Sequence, residues 1–147
     1  MEIRMASADQ LSELTELVLQ LWPDHDPGEM RSELAQHFAE GNGAYYLAWE
    51  NGVPVGFAQC QLRRDYVEGT ESSPVGYLEG IYVQPEYRHR GYARELLSAC
   101  EKWAREKNCR EFASDCELVN LESLRFHLAV GFLEANRIIC FTKELYY

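Results

Sequence analysis

The sequence predicts an α/β domain of about seven strands and about four helices. Three observations carry that prediction. Apolar residues repeat with helical spacing in some stretches and with strand spacing in others. Turn signals such as Trp22-Pro23 and Asn51-Gly52 separate the stretches. The run from Leu78 to Ala93 reads as a buried strand, a stop at Pro85, a short loop and the start of a long helix.

Residues 2–6 form the first expected strand. Ser7 suits the N-cap of a helix with Leu11, Leu14, Leu17, Val18 and Leu21 on one face. Trp22-Pro23 ends that helix, and Pro27-Gly28 opens a second over about 28–40, with Met30, Leu34 and Phe38 inward. Gly41-Asn42-Gly43 breaks the chain before a strand from Ala44 to Trp49. Asn51-Gly52 then signals a hairpin into a strand from Val53 to about Leu62. Residues 65–74 are a polar loop, and 75–83 the next strand. A helix over about 91–107 buries Leu96, Leu97, Cys100 and Trp103. A strand at 111–115, a helix at 121–129 and strands at 132–136 and 138–144 complete the expected order. No linker or repeat interrupts it, so residues 1–147 are expected to be one domain.

At 147 residues the chain can bury a real core, and 46% apolar residues argue against disorder. No apolar run approaches the ~20 residues that span a bilayer, so no membrane partner is expected. The start Met1-Glu2-Ile3-Arg4 lacks signal-peptide character. Five cysteines, odd in number and without Cys-x-x-Cys spacing, read as small core residues in a reducing cytoplasm. A net charge of −10 weighs against nucleic acid. Residues 1–40 carry nine acids against two bases, whereas 86–110 carry seven bases against four acids. That asymmetry suits a polycationic substrate and a polyanionic cofactor, or simply decorates solvated helix faces.

The loop Arg88-His89-Arg90-Gly91-Tyr92-Ala93 leads into a helix N-terminus, where backbone N–H groups lack intrahelical partners and the dipole favours an anion. Gly91 admits a close phosphate, and Arg88, Arg90 and Arg94 add cationic donors. Period-two alternation places Tyr77, Glu79, Ile81 and Val83 on one strand face. A carboxylate there is costly unless it is paired or used. Glu79 is therefore a candidate base, or a structural ion-pair partner. Asp115 falls at a strand's carboxyl end, where α/β ligands bind, although acids there also cap helices and form turns. Gly80 fits a bulge. Asn120 either caps the following helix or bonds a ligand amide.

The strand, the Arg-x-x-Gly-x-Ala loop and the helix resemble the acyl-CoA-binding motif of the Gcn5-related N-acetyltransferase (GNAT) superfamily. The element order of the whole chain agrees. The resemblance implies the acyl-CoA N-acyltransferase fold, with a mixed central sheet, and acetyl-CoA as co-substrate, with no metal. It implies cofactor contacts from Ile81, Tyr82, Val83, Arg88, His89, Arg90, Gly91, Tyr92, Ala93, Arg94 and Asn120. The strand backbone at 81–83 is expected to pair with pantetheine and to polarise the acetyl carbonyl. His127 stands where many members have a tyrosine that protonates the departing thiolate; it could serve as that acid or be a surface helix residue.

Further pieces resemble the aminoglycoside 6′-N-acetyltransferases: Leu21-Trp22-Pro23 with His25, the loop from Arg64 through Tyr66 to Val75, Leu78 to Val83, and Ala113-Ser114-Asp115. The resemblance implies a drug site lined by Trp22, His25, Tyr66, Glu79 and Asp115, with Asn136 standing where the branch often has a glutamate. It also implies a homodimer. Trp22 could equally anchor the end of the first helix. The expected alternatives are an acetyltransferase of polyamines or protein amines, and a non-catalytic acyl-CoA-binding module.

Overall fold

A computed structural model describes residues 1–146 and divides into two compact units, one spanning Met1–Asp115 and one beginning at Cys116. In the first, β1 (Glu2–Met5) is followed by a 3-10 turn at Ala8–Gln10, then α1 (Leu11–Leu21) and α2 (Pro27–Glu40). Strands β2 (Gly43–Glu50), β3 (Val53–Arg63) and β4 (Val75–Val83) form a meander. A 3-10 turn at Pro85–Tyr87 leads to α3 (Tyr92–Glu106) and β5 (Phe112–Ser114). Sheet order is β1-β2-β3-β4-β5, antiparallel except for β5, which runs parallel to β4. A parallel neighbour requires a crossover, and α3 supplies it.

Ser7 starts the 3-10 turn rather than α1 itself; its N–H donates to Gln10 Oε1 at 3.0 Å. Asp26 caps α2 by accepting from the Glu29 N–H at 2.9 Å, with Pro27 as first helical residue. Leu14, Leu17 and Val18 of α1 and Met30 and Leu34 of α2 bury against Tyr45, Leu47 and Phe57 of the sheet, with Phe38 partly buried at the margin. Tyr92, Leu96, Leu97, Cys100, Trp103 and Ala104 form the buried stripe of α3.

The second unit holds α4 (Leu121–Ala129). Here the expectation of about seven strands is corrected: the sheet has five, and residues 132–146 form no strand among the described residues. Their β-branched and aromatic residues favour extended backbone, but a strand also needs a hydrogen-bonding neighbour, which composition does not supply. Leu133, Ile138, Ile139 and Phe141 are between 71% and 91% exposed. The cysteines also divide. Cys60 and Cys100 are buried as expected, whereas Cys116 and Cys140 are exposed and are not core residues.

Candidate active site

The β3–β4 register pairs Cys60 with Leu78 and Gln59 with Gly80, so Glu79 is an extra residue, a β-bulge. This corrects the expected alternation. Tyr77 and Glu79 do share a face, but past the bulge Gly80 and Tyr82, not Ile81, pack on the α1 side. A Cβ on Gly80 would lie 2.7 Å from Trp22 Cη2, so the missing side chain is what seats the Trp22 ring against the strand. Trp22 also meets Phe57 edge-on, with centroids 6.3 Å apart. The ring therefore does anchor the end of α1, and it remains half-buried.

Glu79 is paired. Arg63, at the end of β3, donates from Nε at 3.0 Å and from Nη2 at 2.5 Å to Oε1, and from Nη2 at 3.0 Å to Oε2. The same guanidinium lies over the Tyr77 ring, with Cζ 3.4 Å from the centroid. The Tyr77 hydroxyl in turn donates to Asp115 Oδ2. Burial, and then the bond to the Asp115 carboxylate, push the Tyr77 phenol well above its ordinary value. Glu79 and Asp115 are thus joined through Arg63 and Tyr77. Strand β5 holds Asp115 there because its parallel register sets Ala113 beside Tyr77 and Ser114 beside Leu78. Sequence reasoning missed both connecting residues. Arg63 lies 16 positions from Glu79, and only the β3–β4 pairing brings them together.

The 65–74 loop is tied down on both sides of Tyr66. Val67 buries with Val75 and Tyr77, and its carbonyl accepts from the Thr70 N–H and hydroxyl. Glu111 accepts from the Glu71 N–H at 2.9 Å and from the Ser72 hydroxyl, while Ser73 Oγ donates to the Arg64 carbonyl at 3.1 Å. The Ser72 hydroxyl and the Glu71 N–H hold the Glu111 carboxyl below its ordinary value. Sequence reasoning missed Glu111 too, since it reaches the loop across 40 positions. The tethers leave Tyr66 76% exposed, a flat ring on a fixed base. His25 is also exposed, and its N–H points to the Trp22 carbonyl at 3.4 Å.

At the other end of β4 the donors are mostly backbone. His89 (φ 62°) and Gly91 (φ 91°) both take left-handed conformations on the way into α3. Gly91 is the N-cap and provides no side-chain cap. A Cβ built on it would meet nothing nearer than Met1 Cε at 4.0 Å, so the space above the helix end is open. Arg88 Nε donates to the Val83 carbonyl at 2.7 Å and lies over Tyr82, and Arg90 lies over Tyr87. Ile81 and Ala93 are half-buried, and Arg94 is exposed on the first turn. Tyr92 is different from its neighbours. The residue is 3% exposed and its ring packs edge-on against Tyr87, so the ring itself is not open to a ligand.

In the second unit, Asn120 Oδ1 accepts from the Ser123 N–H at 3.1 Å and so caps α4. One turn on, His127 Nδ1 is 2.7 Å from the Ser123 carbonyl, and the ring lies between Phe126 and Phe132. Asn136 Oδ1 accepts from the Arg137 N–H at 2.8 Å. A cavity of about 150 Å³ in the first unit, lined by His37, Tyr45, Gln59 and Gln61 among others, includes none of the expected site residues.

Comparison with known proteins agrees with this geometry. The acetyltransferase (GNAT) family model matches residues 11–132. The aminoglycoside N(6')-acetyltransferase type 1 of Stenotrophomonas maltophilia is 44% identical over 144 residues, covering 97% of this chain and 93% of that protein. The protein of the same name from Salmonella typhimurium is 39% identical, covering 98% and 99%. Among solved structures, AAC(6')-Iy in complex with the bisubstrate analog CoA-S-monomethyl-acetylneamine superposes with a TM-score of 0.94 at 38% identity, covering 98% of each chain. The five-stranded sheet, the uncapped glycine turn into α3 and these relatives lead to one conclusion: the chain belongs to the GNAT acetyltransferase family, among the aminoglycoside N(6')-acetyltransferases.

Proposed function

We propose that the protein transfers the acetyl group of acetyl-CoA to the 6′-amino group of aminoglycoside antibiotics and so confers resistance to them. The observation that carries this reading is the Glu79–Arg63–Tyr77–Asp115 network, which sets two carboxylates on one sheet surface. An amine acceptor must bind as an ammonium and react as a free amine, so it needs a grip and a base. Glu79 takes the proton, and Asp115 grips the ammonium. Trp22 and Tyr66 offer flat faces to the sugar rings, and His25 and Asn136 complete the drug contacts.

Acetyl-CoA supplies the activated acyl group, and the residues present fit it. The open space above Gly91 and the uncapped first turn of α3 suit a pyrophosphate, which Arg88, His89, Arg90 and Arg94 border. The backbone of Ile81, Tyr82 and Val83 suits an extended amide arm, with Tyr92 and Ala93 contributing N–H groups and Asn120 an amide contact. His127 is our candidate for returning a proton to sulfur, on the chemistry of imidazole. The family match runs from 11 to 132, across the boundary between the two units, which supports one acetyltransferase domain. The exposed apolar side chains of Leu133, Ile138, Ile139 and Phe141 support a homodimer. Free cysteines support a reducing, cytoplasmic setting, and no helix among the described residues is long and apolar enough to cross a membrane.

Thiol release from acetyl-CoA tests the reading. Kanamycin and tobramycin, which carry the 6′-amine, are expected to be substrates, and a 6′-hydroxyl analogue is not. Equal turnover of both would overturn the regiochemistry. Turnover of polyamines or of protein amines, but not of the drugs, would favour the second acetyltransferase reading. No turnover of any amine would leave a non-catalytic acyl-CoA-binding module.

A further inference from the structure

The position of Arg63 has a consequence for amine recognition. A substrate ammonium at this surface would seek the Glu79 carboxylate, the π face of Tyr77 and the negative charge of Asp115. Arg63 already engages the first two directly: three hydrogen bonds of 2.5–3.0 Å to Glu79 and a stacking distance of 3.4 Å over Tyr77. It reaches the third through the Tyr77 hydroxyl, which by donating to Asp115 enriches the ring that holds the guanidinium. A planar guanidinium is unusually able to fork onto a carboxylate and stack on an aromatic ring at once.

Two further facts bear on whether the arrangement is permanent. The Arg63 side chain is 39% exposed and that of Glu79 18%, so the pair opens to water on the guanidinium side. Ion pairs open to solvent are individually weak, and a competing cation can replace one partner. Among the described residues the Arg63 guanidinium bonds to Glu79 and stacks on Tyr77 and makes no third hydrogen bond or ion pair, so its release breaks no further side-chain contact. The three ionisable groups sum to one net negative charge with Arg63 in place (two carboxylates, one guanidinium). Without it they sum to two.

We propose that Arg63 is a specificity-determining residue whose guanidinium occupies the seat of a substrate ammonium, so that aminoglycoside binding is an exchange of cations on Glu79 and Tyr77. The inference rests on the proposed drug-acetylating function and adds the role of Arg63 to it. The exchange sets a threshold. An amine with a single weak contact does not displace a bidentate, stacked guanidinium, whereas a polyamine sugar anchored elsewhere by further ammonium groups does. Arg63 would then act as a filter against simple monoamines.

The test is Arg63→Met, which keeps the stem and removes the cation. Isothermal calorimetry with kanamycin should show Kd falling roughly three- to tenfold, with a steeper dependence on salt because the site is more negative by one charge. KM should fall by a larger factor than kcat changes, because the guanidinium competes for the ammonium's seat. A simple monoamine should gain proportionally more than kanamycin. Acetyl-CoA affinity and the circular dichroism spectrum serve as folding controls. Arg63→Lys, a cation without the fork, should fall between the wild type and the Met variant. An unchanged or raised Kd in a folded Arg63→Met protein would overturn the exchange and make Arg63 a fixed wall of the site. A fall in kcat at constant Kd would also overturn it and leave Arg63 as a positioning residue for Glu79. Should the wild type fail to acetylate kanamycin at all, the functional reading itself falls, a failure visible before any variant is made.

Discussion

Strand β4 has one end built from side chains and one built from backbone. Up to and including the bulge, Tyr77 and Glu79 are tied to Arg63 of β3 and to Asp115 just past β5. After it, the open turn at Gly91 and the uncapped start of α3 offer N–H groups and a helix dipole. The side-chain end can be retuned one residue at a time, because each contact is a separate pair. The backbone end cannot, because its donors are fixed by φ and ψ and depend on one glycine.

The sharpest way to break this contrast is at Glu79. Glu79→Gln keeps the shape and removes the basicity, so kcat should fall by roughly 10²–10⁴ while acetyl-CoA affinity stays put. Asp115→Asn should raise KM more than it lowers kcat if that residue grips the ammonium. The opposite pattern would swap the two roles, and changes below about threefold in both variants would remove the carboxylate pair from the mechanism.

At the backbone end, Gly91→Val should weaken acetyl-CoA binding by about tenfold or more, with drug affinity unaffected. Valine is strained at φ 91°, and its branch would fill the open space above the helix end. Unchanged CoA affinity in a folded variant, measured by calorimetry, would remove the phosphate from this turn.

The smallest effect is expected at Glu111, which touches neither ligand in this reading. Glu111→Gln should raise the drug KM about two- to threefold by loosening the loop that carries Tyr66. The Ser72 hydroxyl, and then the Glu71 N–H, depress the Glu111 pKa from its ordinary 4.5. A depressed carboxylate contributes its stability above the unfolded value and loses it as pH falls through the folded one. Protection factors of the loop amides, with rates corrected for intrinsic exchange, should therefore fall only on the acid side of about pH 4.5. A fall in protection toward neutral pH would show that another group holds the loop.

The sequence disclosed the parts that depend on local order. The Asn51-Gly52 hairpin, the apolar stripes of α1 and α3, and the glycine turn into α3 are set within a few residues, and each stands where spacing put it. What was not legible depends on pairing. The phase change at Glu79 comes from the β3–β4 register, since nothing in Leu78-Glu79-Gly80 says which residue is extra. Arg63 and Glu111 reach their partners across 16 and 40 positions. The final residues have strand composition, but strand identity is conferred by a neighbour.

The extra residue at Glu79 also bears on how such an enzyme changes over generations. A bulge absorbs displacement, so a substitution at Tyr77 or Arg63 that shifts the upstream backbone need not be transmitted to Tyr82 and Val83. In the proposed reading, a substitution can therefore retune the amine end of β4 while the acyl-donor end keeps its backbone geometry. One strand thereby behaves as two separately evolvable parts, joined at a residue that belongs to neither register.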